Sequence, residues 1–163
     1  MANKMTLAMP LKILIIVLGS AHLVVVLVNV VQAIRELKAA DTINVSTDHL
    51  KMYTTSNVMI LNIIPLLIIA IICLLFAFQP YFFLPCINIL LIFITIFVNL
   101  LAWNFLTHTF SDYKPQFDKA YKHRDEHPEY AHLSSILYAD MIILIIGTIA
   151  LVVTFIAMCL AVW

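Results

Sequence analysis

Charged residues leave three long runs of this chain untouched. Lys12 and Arg35 bracket 22 uncharged residues, Lys51 and Asp112 bracket 60, and the 23 from Met141 to Trp163 carry none. At 1.5 Å per residue, a run of about 20 crosses a hydrocarbon core of about 30 Å. The first and last runs therefore predict one helix each. The middle run is too long for one span and is broken by Gln79-Pro80-Tyr81, with Pro85 close behind. Proline ends one helix and is accepted in the first turn of the next. The pattern predicts an all-α, integral membrane four-helix transmembrane bundle with up-down topology, forming a single domain over 1–163. Its helices are expected at about 11–35, 55–79, 85–108 and 134–163, with polar loops at about 36–54 and 109–133. Pro65, near the middle of the second helix, predicts a kink. The first run has the outline of a secretory signal, with Lys4 and Lys12 ahead of Gly19-Ser20-Ala21. Its apolar stretch continues to Ile34, longer than a signal core, so it reads as a retained span.

Composition agrees. The 163 residues are 64% hydrophobic and 11% charged, against about 25% charged for a soluble domain. The formal net charge is zero, which gives no basic field for nucleic acid. The only glycines are Gly19 and Gly147, so Gly-rich phosphate loops are excluded. Cys73, Cys86 and Cys159 form no CxxC pair, which argues against thiol-relay chemistry. Cys86 and Cys159 are expected near one membrane face, within range of a bridge.

Half of the charge falls in Thr107–Ser135, a stretch that also holds four of the six histidines. Lys and Arg follow the same bias. Arg35, Lys38, Lys51, Lys114, Lys119, Lys122 and Arg124 lie in the first and third loops, against Lys4 and Lys12 elsewhere. The positive-inside rule then puts both loops in the cytoplasm and both termini outside, most simply in the cell membrane. Around Lys114–Tyr130, Phe117, Ala120 and Tyr121, with Phe110 ahead of them, have the spacing of a short amphipathic helix lying on the bilayer.

Polar residues inside the runs are the first candidates for chemistry. His22, Thr95 and Thr154 lie near the midplane by residue count, with Asn29, Asn62 and Asn99 in a shallower layer on the side of the charged loops. His22 and Asn29 are seven apart, as are Asn88 and Thr95, while Asn99 follows Thr95 by four. Helices 1 and 3 thus each carry a polar stripe. Such groups are costly in lipid and turn inward, either as hydrogen-bonding glue between helices or as the lining of a pocket or pathway. Asp140 and Arg35 stand at the loop-rich boundary. Asp140 suits a helix N-terminus, and it also has Arg35, His108 and His132 within reach as partners at the mouth of the bundle. No carboxylate falls within an uncharged run, so proton coupling through a mid-membrane acid is not expected.

His123 and His127, in HRDEH, have a spacing that places both rings on one face of a helix, where His132 and His108 would complete a metal shell. Pro128 opposes helical geometry at His127. The sequence requires no cofactor, and a metal ion is the one option it offers. Three functions follow. The first is a non-enzymatic accessory or interaction subunit, partnered by another membrane protein or by copies of itself. The second is a small oligomeric channel or carrier lined by helices 1 and 3. The third is a metal-dependent membrane enzyme at the loop-rich face.

Overall fold

The computed structural model describes residues 6–42, 46–122 and 128–163, with side chains placed for 6–39, 60–122 and 128–163. Four helices make up nearly all of it: α1 (Met9–Thr42), α2 (Ser46–Phe78), α3 (Phe83–Lys122) and α4 (Pro128–Val162). All four contain a segment long and apolar enough to cross a membrane. The α2–α3 turn falls where the prolines place it. Gln79 N closes the last turn of α2 on Leu75 O, and Leu84 N begins α3 on Tyr81 O. Pro85 sits in the first turn of α3, and Pro128 is the first residue of α4. At both places the missing N–H costs no helical hydrogen bond. α2 runs unbroken through Pro65, and α3 through Pro115.

The helices form a closed square in chain order, with α1 packed on α2 and α4, and α3 on α2 and α4. Neighbours are antiparallel. Lys12 lies over the Phe78 ring at one end of the α1–α2 pair, and Gly19 meets Cys73 two turns further in. The buried positions step by three and four residues. On α3 they include Asn88, Ile92, Thr95, Asn99, Ala102 and Leu106, and on α4 Asp140, Leu144, Gly147, Leu151 and Thr154. A 3.5-residue period keeps one stripe of each helix turned to its neighbours, as in coiled coils. The outward faces are apolar, with Leu27, Leu61, Phe97 and Leu160 among the exposed side chains. In lipid that is the favourable arrangement, and in water it would be a liability. These features suggest a membrane location.

The helices outrun the apolar runs. Residues 36–42, 46–54, 109–122 and 128–133, expected as polar loops, are helical. The stripe explains this, because Asn99, Leu106, Tyr113 and Ala120 continue the sevenfold spacing past the end of the uncharged run. Phe117 and Ala120 are accordingly buried and belong to α3 itself, which replaces the expected surface helix. Phe110 packs edge-on against Tyr138 of α4, and Tyr113 packs near Tyr130. A second apolar core (Tyr113, Phe117, Leu133, Ile136 and Leu137 among its members) holds the α3–α4 pair together there. α3, with 40 residues, is about 60 Å long, twice the hydrocarbon thickness.

The two glycines differ in what surrounds them. A Cβ on Gly19 would lie 3.0 Å from Cys73 Cβ and 3.3 Å from the Ala70 carbonyl oxygen, whereas one on Gly147 would meet only Val25 Cγ1 at 3.6 Å. Gly19→Ala is expected to push α1 off α2 and cost about 1–3 kcal/mol. Gly147→Ala is expected to be neutral, or to stabilise by up to about 1 kcal/mol through helix propensity. Thermal unfolding in detergent separates the two outcomes.

Candidate functional site

The inward stripe of α1 is built on every seventh residue: Ile15, His22, Asn29 and Glu36. Ile15 is apolar and the other three are polar, and all four are at most 2% exposed. α4 answers with Asp140 and Thr154, which are wholly buried. Because neighbouring helices are antiparallel, these positions meet in layers.

The outermost layer holds two acids. The Gln32 amide donates to Asp140 Oδ1 at 3.1 Å, and Arg35 Nη1 donates to Gln32 Oε1 at 3.2 Å. Asp140 Oδ2 has no hydrogen-bond partner, and the Glu36 carboxyl lies beside this side chain. Two ionised carboxylates have only acceptors to offer each other, so a hydrogen bond between them requires a proton on one oxygen. Two carboxyls brought together away from water favour a proton on one of them, as in carboxyl dyads. Arg35 is exposed, and its guanidinium is linked to Asp140 through Gln32.

The next layer consists of amides. Asn62 Nδ2 donates to Asn99 Oδ1, and Asn99 Nδ2 donates to Thr148 Oγ1 at 3.0 Å, linking α2, α3 and α4. Asn29 approaches from α1. The register set by Gly19 against Cys73 brings position 29, ten residues on, level with position 63 and one residue from Asn62. A turn or two deeper, His22 Nε2 and Thr154 Oγ1 are 2.8 Å apart. Thr154 Oγ1 also donates to the Ala150 carbonyl, so the histidine nitrogen is the donor in that pair. Thr95 is buried at this depth but bonds its own helix at Leu91 O. The innermost contact is Asn88 Nδ2 to Cys73 Sγ at 3.2 Å. From Glu36 to His22 the file covers 14 residues of α1, about 21 Å.

All six candidate pathway residues are thus buried, and four of them pair across helices. Asp140 accepts from Gln32 and lies beside Glu36, and of the partners the sequence offered Arg35 is linked to it through Gln32. His108 and His132, offered as metal ligands or as partners of Asp140, are exposed on α3 and α4. His123 and His127 lie outside the described residues. Among the described residues no cluster of three His, Cys, Asp or Glu groups could hold a metal ion. The three cysteines are free thiols, so Cys86 and Cys159 form no bridge. Sequence reasoning missed Gln32, Glu36 and Thr148. Glu36 had a signal, since it continues the spacing of His22 and Asn29, but its charge assigned it to a loop.

A groove of about 380 Å³ opens between α3 and α4 toward the outside of the bundle, with Asn99 and Thr148 among its lining and Trp103 beside them. It brings the amide layer near the outer surface on that side. No family model matches the chain, and no curated protein or solved structure is significantly similar to it.

Removing a single partner from this file should cost more than its net hydrogen bond, because the other partner is left buried and unpaired. Gln32→Leu and Asn99→Leu are each expected to lower stability by about 1–3 kcal/mol. His132→Ala, at an exposed position, should stay within about 0.5 kcal/mol of wild type. Detergent thermal melts of the three variants check this ordering.

Proposed function

We propose that the chain is a small multi-pass membrane protein that carries protons through the interior of its bundle, with no covalent chemistry. The observation that supports this reading is the buried Glu36–Asp140 carboxyl pair, standing at the head of a polar file that leads to His22. Buried ionisable groups inside spans are expensive and mark ion and proton routes. In this reading the dyad exchanges its proton with water at the mouth, where Gln32 and Arg35 hold Asp140 in place. The asparagine layer conducts toward His22, whose imidazole is the second group able to take a proton. The Lys and Arg count favours a dyad at the cytoplasmic face of the cell membrane, with both termini outside.

A second reading has its own support. The α3–α4 pair continues as a packed coil past the apolar runs, and the lateral groove beside Trp103 offers a seat for another transmembrane helix. Both suit a subunit of a larger membrane assembly, or a homo-oligomer, with lipid around the rest. Of the histidines offered for a metal, His108 and His132 stand exposed on separate helices, while His123 and His127 lie outside the described residues.

Purified protein in liposomes, loaded with a pH-sensitive dye and driven by a potassium diffusion potential, tests the carrier reading. Wild-type protein should acidify or alkalinise the lumen well above empty vesicles. Asp140→Asn should cut the rate at least about tenfold, as expected when one member of a proton relay is lost. Cys86→Ser, at an exposed site, should leave the rate unchanged. Wild-type flux equal to that of empty vesicles would remove the carrier reading. A stoichiometric partner in native purification would then favour the second.

A further inference from the structure

Two oxygens of the asparagine layer are left without a donor. Asn29 Oδ1 and Asn62 Oδ1 are both buried without a hydrogen-bond partner. Asn29 and Asn62 are each 1% exposed, so bulk water does not reach these oxygens. Their layer also holds Asn99 Oδ1 and Thr148 Oγ1, already engaged by neighbouring amides. A buried acceptor left unpaired is costly, and two in one layer call for a shared counterpart that accepts electron pairs from oxygen. We propose that this layer is a binding site for a desolvated alkali-metal cation, held by the side-chain oxygens of Asn29, Asn62, Asn99 and Thr148.

The chemistry of the layer selects the class of ion. Hard cations prefer oxygen ligands such as amide carbonyls. No carboxylate stands in the layer, and the desolvation cost of an ion grows with the square of its charge, so neutral amides suit a monovalent ion and not a divalent one. The nearest acids are Glu36 and Asp140, about two turns toward the mouth, with Gln32 between. Arg35 faces that same layer through Gln32, and His22 lies two turns deeper. The groove beside Asn99 and Thr148 touches the same layer from the α3–α4 side.

This inference goes beyond the proton-carrier reading and does not rest on it. Binding is measured in detergent, where no transport is required, so the two fail separately. The full chain is melted at constant ionic strength in chloride salts of lithium, sodium, potassium or choline. One of the alkali ions should raise Tm by about 3–6 °C over choline, saturating with concentration. Asn62→Ala should abolish the ion-specific part of the shift. Asn29→Asp adds a negative charge to the layer and should lower the half-saturating concentration at least about tenfold. If Tm is the same in all four salts for wild type, the site is overturned, whatever the variants do. An ion-specific shift that survives unchanged in Asn62→Ala also overturns it.

Discussion

Hydrocarbon supplies no hydrogen-bond partner, so a polar side chain on a membrane helix must find one on a neighbouring helix or remain unsatisfied. That constraint organises this bundle. His22, Asn62, Asn99 and Asp140 each reach a side chain on another helix, and together these contacts join α1 to α4, α2 to α3 and α3 to α4. The apolar contacts around them are interchangeable with lipid contacts to a degree that the polar ones are not. The polar file therefore fixes the register of the four helices, while Leu, Ile and Phe fill the space between. The same file is the candidate site, so specificity of fold and capacity for chemistry rest on the same residues.

The acid layer shows how strongly position changes the meaning of a residue. Arg35 and Glu36 are adjacent in sequence. A rotation of about 100° per residue puts one in solvent and the other in the interior. Arg35 then acts at a distance, bracing Gln32, while Glu36 is pressed against Asp140. Exposed on a loop, Glu36 would be an ordinary solvated charge. On the inward stripe of a helix that continues past the bilayer, it becomes half of a buried carboxyl pair.

Much of this was legible beforehand. Uncharged run lengths and the Gln79-Pro80-Tyr81 break give four helices and the position of the central turn. Depth counted at 1.5 Å per residue picks out His22, Asn29, Asn62, Thr95, Asn99 and Thr154, all of which are buried. Two things were not legible. Helix ends were drawn where charge begins, yet a helix stabilised by packing against a neighbour continues into water, as α3 does through Tyr113 and Phe117. Pairing was also hidden, because partners such as Gln32 and Asp140 are 108 residues apart and meet only through the antiparallel register. Glu36 could have been recovered by extending the sevenfold series from His22 and Asn29.

The central claim is that Glu36 and Asp140 share a proton inside the bundle. Infrared difference spectroscopy of the purified protein at near-neutral pH reads it directly, through the carbonyl stretch of a protonated carboxylic acid in a site shielded from water. The account predicts such a band in wild type, shifted in Glu36→Gln and in Asp140→Asn and absent from the double variant. A wild-type spectrum holding only ionised carboxylate bands, with both single variants indistinguishable from it, would contradict the account.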